Sequence, residues 1–370
     1  MICCSPLKAI NSILLRNMRL QLVLLLAGLG STMVAQGQKS TFGEKAFGWL
    51  RTKNDSAYIT DHTRDLNLRL YGGRKYTYYD VVDRKLNKEV LYRPNNNFIV
   101  GVGANYKFLD INLGFSLPDV EHNKDRYGTT KYLDLQTHIY LRKLVIDLYW
   151  QRYKGYFLAD QGGPLGNVLE DRPRLLRPDL RTRNYGASVM YIFNDRRFSY
   201  RGAYLQNEHQ KKSAGSLIIG AEIFSIRIHA DSSIIPSNLQ SPDFFEGQRF
   251  YGSGIVSVAG NAGYAYTLVY KKHLFMTLSL SGAIGVNVTR LYMNDSIPKK
   301  AGWQLNNTIR ASIGYNSNLY FAGFQYMNVV TRSETPIKET YQTFGTGNFR
   351  ISLVRRFKLR KSCFDQTVFN

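Results

Sequence analysis

The feature that most constrains the fold of this sequence is a run of strict alternation that begins at Tyr185. Aromatic and aliphatic side chains occupy every second position from Tyr185 to Phe193, and the first intervening positions are small or polar. Because successive side chains of a β-strand point to opposite faces, this pattern predicts a strand with one apolar and one polar side. A similar pattern returns at Arg197–Gln206 and from Gly215 to Ile228, with Asp195-Arg196 predicted as a two-residue turn.

Strands of this kind recur along most of the chain, and they are long. Soluble strands average about five or six residues, whereas tilted membrane strands need about ten. The sequence therefore predicts an all-β fold, an antiparallel up-and-down transmembrane β-barrel of about twelve strands within a range of ten to fourteen. The predicted wall strands lie at Leu66–Val82, 98–106, 111–115, Tyr132–Leu141, Leu144–Tyr153, Arg181–Phe193, Arg197–Gln206, Gly215–Ile228, Gly254–Tyr270, Leu274–Arg290, Trp303–Asn316, Leu319–Thr331 and Asn348–Phe357.

These predicted strands number about thirteen, whereas a barrel with both termini on one side of the membrane needs an even number. The conflict concerns residues 230–253, a long loop at a point where alternation of loop lengths predicts a tight turn. Two explanations are open at this point. Either a further strand lies near Phe244–Tyr251, or one of the predicted strands is not a single wall strand.

The first residues have the composition of a targeting segment. Arg19 precedes a short apolar run, and Ala35 offers a small residue for cleavage, so residues 1–35 are predicted to be a signal peptide that starts at Met1 or Met18. Residues 36–63 are predicted to be a periplasmic lead-in or plug segment, 64–360 the barrel and 361–370 a C-terminal tail. After Ala35, Cys363 is the one remaining cysteine, so an internal disulfide is excluded in the predicted mature chain.

The net charge of +22 limits the kinds of molecule that the protein is expected to bind. Nucleic-acid binding usually needs a basic patch or arm, whereas here Lys and Arg occur as doublets in predicted turns, such as Arg142-Lys143 and Lys271-Lys272. Basic residues at strand ends would meet lipid phosphates. The predicted partners are therefore outer-membrane lipid or lipopolysaccharide, with envelope proteins as further partners, and no nucleic acid.

No catalytic, cofactor or metal motif occurs, so neither a cofactor nor a metal is expected. With Arg142-Lys143 as a turn, His138 faces Asp147 on the inner side of the wall, and an Asp could orient a His as a general base. The sequence places no nucleophile beside this pair, and we therefore assign no catalytic residue. We expect instead a polar hydrogen-bond network in the lumen, formed by Asp134, Gln136, His138, Asp147, Gln151, Arg201 and Glu222.

Four segments carry a resemblance to a known family, most specifically the segment that ends in QKKSAGS at Ser216. The segments RPNNNFIVGVGANYKFLDINLGF, KYLDLQTHIYLRK, RPDLRTRNYGAS and RRFSYRGAYLQNEHQKKSAGS resemble the Bacteroidetes family of domain of unknown function 4421. The resemblance implies an outer-membrane barrel of a Gram-negative bacterium. It implies no activity and transfers no catalytic residue.

The function classes that these observations favour are a channel or transporter and an envelope structural component. An outer-membrane barrel enzyme and a secreted soluble β-sandwich that binds a ligand are the alternatives. Lumen width separates the first two classes, because about eight to ten strands give an interior that side chains fill, whereas more than about twelve can leave a passage.

Overall fold

The structure is a computed structural model that describes residues 52–106, 109–117, 124–159, 174–236 and 243–358. The predicted signal peptide, most of the predicted lead-in and the predicted tail at 361–370 lie outside these ranges. The strands are β1 Ile59–Asp61, β2 Leu66–Asp83, β3 Lys88–Arg93, β4 Phe98–Tyr106, β5 Leu109–Leu117, β6 Lys131–Tyr140, β7 Leu144–Ala159, β8 Leu176–Ile192, β9 Glu208–Gln210, β10 Ala214–His229, β11 Gly252–Tyr270, β12 Leu274–Tyr292, β13 Lys299–Asn316, β14 Tyr320–Glu334 and β15 Thr340–Phe357. The short helices are α1 Lys124–Tyr127, a π-helix at Arg201–Leu205 and a 3-10 helix at Phe244–Gly247.

Ten antiparallel strands close into a ring in the order β2, β15, β14, β13, β12, β11, β10, β8, β7 and β3. The ring closes because β3 pairs with β7 on one edge and with β2 on the other. This closure confirms the predicted all-β antiparallel barrel, and the strand number falls within the predicted range. The alternative of a two-sheet sandwich is wrong, because the described strands of the wall belong to one continuous sheet.

The ring has two distinct ends. We call the end where Leu66 of β2 pairs with Phe357 of β15 the near end, and the opposite end the far end. At the near end, β4 pairs with the first half of β2 and β5 pairs with β4, while β6 pairs with β7. Within the described ranges no pairing joins β5 to β6. The six-residue β3 lies at the far end.

The two faces of the wall differ as the alternation predicts. On β12, the outward side chains of Leu278, Leu280, Ile284 and Val286 are between 44% and 63% exposed, whereas the inward Thr277 is fully buried. The same contrast recurs on the neighbouring strands. The barrel therefore has an apolar outer surface and an inner face that is polar along the middle of these strands, the arrangement of a lipid-facing wall. Among the described residues, no helix is long and apolar enough to cross a membrane.

The predicted strand at Arg197–Gln206 is wrong. This segment forms the π-helix, and β8 pairs directly with β10, with Tyr191 opposite Ile219. The apolar residues Phe198, Tyr200 and Tyr204 are buried inside the barrel, where they satisfy the same alternation that suggested a lipid-facing wall. Omitting this strand also removes the conflict over the number of strands. The strand β10 then runs in the opposite direction, so the long loop that follows it lies at the end of the barrel where a long loop is expected.

Two further loop predictions are also corrected. No strand forms at Phe244–Tyr251, where the 3-10 helix lies instead, so the long connection between β10 and β11 is a genuine far-end loop. The predicted loop at 154–180 is shorter than expected, because β7 continues to Ala159 and β8 begins at Leu176. The first wall strand runs unbroken through Gly72 and Gly73.

Candidate functional site: the lumen and its two closing segments

The inner faces of β6 and β7 meet in the predicted register. His138 lies opposite Asp147, Gln136 opposite Tyr149 and Asp134 opposite Gln151, so all three predicted pairings are present. A hairpin with a short turn allows one register that keeps the apolar side chains outside, and this constraint made the pairings predictable.

The buried Asp147 carboxylate lies at the centre of an ionic cluster. His138 Nδ1 lies 2.7 Å from Asp147 Oδ1, and the Arg310 guanidinium of β13 pairs with Oδ2 from across the lumen. Asp147 and Arg310 are both almost fully buried. Ser188 lies opposite Asp147 on β8, but its hydroxyl bonds to Asn261. Both Asp147 oxygens are therefore occupied, and the His138 ring is held by its hydrogen bond to Asp147 rather than placed next to a nucleophile.

A second cluster surrounds Asp134. Its Oδ2 accepts hydrogen bonds from Gln136 and Gln151, both at 3.1 Å, and from the Tyr153 hydroxyl. Lys75 of β2 donates to the Asp134 carbonyl oxygen at 3.1 Å. Three side chains from β6 and β7 thus converge on one carboxylate, and Lys75 of β2 binds the main chain of the same residue, which links these parts of the wall through the lumen.

The structure separates two residues that the sequence grouped together. Glu222 of β10 accepts hydrogen bonds from Asn261 and Asn306 in the middle of the lumen. Arg201 is part of the π-helix, where it contacts Glu208 at 3.3 Å. The grouping of Arg201 with Glu222 followed from the wrong strand at Arg197–Gln206, because that strand would have placed Arg201 on the inner face of the wall, next to β10.

Residues 194–213, which we call the near-end plug, fold from the near end into the lumen. The plug contains the π-helix and β9, and β9 pairs with β1. Side chains of the wall bind its main-chain oxygens. The contacts are Gln325 to Ala203 at 2.6 Å, Ser312 to Ala203 at 3.2 Å, Arg350 to Tyr204 at 3.3 Å, Arg356 to Gln206 at 2.7 Å and Asn316 to Glu208 at 3.0 Å.

Glu208 holds the plug through a buried cluster of charges. Its Oε1 pairs with Arg142 of the β6–β7 turn at 2.9 Å and with Arg201 at 3.3 Å, and Ser199 donates to its Oε2. The Glu208 side chain is fully buried. Burial raises the pKa of Glu208, while the charges of Arg201 and Arg142 oppose that rise. The cluster joins the plug to a turn of the wall, so release of the plug must break it.

The far end is closed by the far-end cap, which comprises residues 230–236 and 243–251 of the loop between β10 and β11. Its apolar side chains include Ile234, Phe245 and Phe250, which are almost completely buried. The cap is also bound through its main chain, because the Phe245 amide donates to Asp83 at 2.9 Å and Arg177 donates to the Ser233 carbonyl at 2.8 Å. The apolar side chains of the cap and the wall form a hydrophobic core inside the far end of the barrel. That core includes Tyr79, Val81, Tyr92, Tyr156, Leu180, Ile226, Ile234, Phe244, Phe245, Phe250, Leu291 and Phe344.

The residues that sequence reasoning missed are Arg310, the plug and the cap. Arg310 lies in an alternating polar series with Asn306, Thr308 and Ser312, and this series places it on the inner face. Its partner on a distant strand has no sequence signal. Among the described residues, no group of His, Cys, Asp and Glu has the arrangement of a metal site.

The fold and the lumen define the class of this protein: a closed antiparallel β-barrel whose interior is occupied by its own loops. The chain belongs to the family described as Domain of unknown function (DUF4421), whose model matches residues 53–357. This match confirms the family named by the sequence resemblance. No curated protein matches the chain.

Solved outer-membrane proteins share low similarity with this chain. The outer membrane protease OmpT from Escherichia coli is 8% identical, with 80% of this chain and 98% of that chain covered and a TM-score of 0.38. Outer-membrane expressed OmpT of Vibrio cholerae is 9% identical, with 80% and 99% covered and a TM-score of 0.27. The Pseudomonas putida toluene transporter TodX is 7% identical, with 79% and 89% covered and a TM-score of 0.21.

Proposed function

We propose that this protein is an integral outer-membrane barrel with a closed lumen, which serves as a structural or docking component of the envelope. The observation that carries the proposal is that the near-end plug and the far-end cap occupy both ends of the lumen while the outer face stays apolar. A barrel of about ten strands has a narrow interior, and these two segments fill much of it.

The loop lengths support one orientation. Apart from the plug, which folds into the lumen, the near end carries short turns such as 271–273 and 317–319, and it holds the first residue of β2 and the last residue of β15. The far end carries the long connections between β7 and β8 and between β10 and β11. Barrels of the outer membrane have short periplasmic turns and longer outer loops. We therefore place the near end in the periplasm and the far end at the cell surface.

A gated channel is the second candidate, and one observation favours it. The plug is bound to the wall through side chains that contact its main-chain oxygens, and one ion-pair cluster joins it to a turn, so it can leave without breaking the hydrogen bonds of the barrel. An enzymatic role at His138 has less support, because Arg310 occupies the second oxygen of Asp147 and the pair lies between the two closing segments.

Planar-bilayer conductance tests the proposal. The chain without the predicted signal peptide is refolded and inserted, and a second variant has residues 195–212 and 231–250 replaced by short Gly-Ser linkers. We expect an inserted but non-conducting wild type and discrete conductance steps from the variant. Steps from the wild type would refute the closed barrel and make transport the working function.

A further inference from the structure

The outer face of the far end carries a grid of basic side chains on three neighbouring strands. Strand register places Arg183 of β8 directly between Arg152 of β7 and Arg227 of β10. One pleat further toward the far end, Arg181 lies in the same way between its neighbours on β7 and β10. We call these six residues the cation grid: Arg152, Lys154, Arg181, Arg183, Arg227 and His229.

The grid has little internal compensation for its charge. Arg183 and Arg227 are exposed, and neither has an acidic partner within the part of the chain that the structure describes. Asp231 pairs with Arg181 at 3.0 Å and lies 3.8 Å from His229, and it is itself 64% exposed. Arg152 donates to the Tyr185 hydroxyl at 3.0 Å. The central row of the grid therefore presents three guanidinium groups and no carboxylate.

Such a row is unfavourable unless an anion from outside the chain joins it. Like charges directly opposite one another on neighbouring strands repel and destabilise the pair. Gly254 of β11 interrupts the row, and the exposed Arg290 of β12 and Lys299 of β13 continue the same level of the wall. Arg152, Arg183 and Arg227 are thus the uninterrupted part of a longer basic rim.

The height of the grid on the wall indicates which anion it meets. The next outward position below Arg152 is Trp150, and the one below Arg183 is Tyr185, whose rings lie 6.3 Å apart. Below these aromatics the outward positions are aliphatic, as at Leu148 and Val189, which are exposed. Aromatic side chains of this kind mark the level of the lipid headgroups. The cation grid therefore lies at the level of the headgroup phosphates or just beyond it.

We propose that the cation grid binds the phosphate groups of lipid A, the phosphorylated disaccharide anchor of lipopolysaccharide in the outer leaflet. This inference rests on the proposed outer-membrane location and orientation. Guanidinium groups bind phosphate oxygens through paired hydrogen bonds, which suits a row of arginines to this headgroup. Three strands at a spacing of about 4.8 Å make the grid roughly 10 Å wide, enough to contact more than one group of a disaccharide.

The test uses the full chain in nanodiscs of zwitterionic phosphatidylcholine, with bisphosphorylated lipid A as the probe. The variant R152Q/R183Q/R227Q removes the central row, and R196Q/K212Q/K271Q removes three basic residues of the near end as a charge-matched control. All six side chains are exposed, so both variants retain the barrel core. Binding is measured by native mass spectrometry, and insertion of each protein is verified by its resistance to protease.

We expect the grid variant to bind lipid A at least tenfold more weakly than the wild type, and the control to bind within twofold of it. Lipid A with one phosphate should bind more weakly than the bisphosphorylated form, and inorganic phosphate should displace neither at equal concentration. Equal binding by wild type and grid variant, when both are inserted, overturns the cation grid and leaves the proposed function intact. Failure of the wild type to insert overturns both.

Discussion

Removal of the Glu208 charge should loosen the near-end plug while the barrel wall stays intact. In the substitution Glu208→Gln, the amide keeps the size of the side chain but leaves Arg142 and Arg201 without their shared anion. The two arginine side chains are 10% and 17% exposed, so water replaces the lost partner only in part. The plug should then open locally far more often than in the wild type.

The structure sets the scale of this effect. Breaking a fully buried ion pair by removing one partner costs about 3–5 kcal/mol. The desolvation of the carboxylate, which raises the pKa of Glu208, offsets part of this cost, and both arginines are partly exposed, so we expect the lower end, ~3 kcal/mol. Every ~1.4 kcal/mol is a tenfold change in an equilibrium constant, so local opening should become roughly 100-fold more frequent. The same substitution at the exposed Glu246 of the far-end cap should have no measurable effect.

Hydrogen exchange read by mass spectrometry at pH 8 measures this opening directly, because amides of the plug exchange only when it opens. We expect faster exchange in peptides that cover 199–210 and unchanged exchange in β12. The triple variant E208Q/R142Q/R201Q removes all three charges and should recover most of the loss. If the exchange rate of the plug amides rises less than fivefold in E208Q, or if the exchange rate of β12 rises equally, this cluster does not hold the plug.

Three further predictions concern the lumen, the outer face and the pH response. In detergent, D147N should lower the free energy of unfolding by about 3–5 kcal/mol, because it leaves the buried Arg310 unpaired, and urea titration that shows less than ~1 kcal/mol would contradict this. The substitution I284R should weaken insertion into liposomes by about 2–4 kcal/mol if Ile284 faces the bilayer core, whereas equal insertion of I284R and wild type would exclude that position from the membrane. Burial lowers the pKa of His209, so the closed plug resists protonation of that residue and loses stability as the pH falls below the ordinary value of 6.5. The raised pKa of Glu208 acts in the opposite direction, so the measurement is the comparison with H209Q: plug exchange should accelerate between pH 7.5 and 5.5 more in the wild type than in H209Q.

The strands of the wall could be predicted from the sequence because the alternation of apolar and polar residues is a local pattern. Alternation identified most of the strands, and the short turn at 141–143 fixed the register that brings His138 to Asp147. The six-residue β3 was missed because a segment of this length shows too few alternations to be distinguished from a loop.

The contents of the lumen were less predictable, because they depend on contacts between segments far apart in sequence. Arg310 meets Asp147 only after the ring has closed, and alternation reports which face a residue occupies but not which residue it meets. The plug gave a misleading signal, since Phe198, Tyr200 and Tyr204 are apolar whether they face lipid or a buried interior. Burial, not periodicity, separates these two cases, and burial is a property of the closed barrel.

Because β3 closes the ring at the far end alone, the two ends of the barrel differ in width. At the far end β3 alone spans the interval between β2 and β7, whereas at the near end that interval is bordered by β4 and β5 on one side and β6 on the other. The circumference is therefore smaller at the far end, and the bore narrows from the near end to the far end. A folded segment that fills such a bore can leave only through the wider end. The near-end plug can be withdrawn only through the near end, so any force that opens the barrel must come from that side.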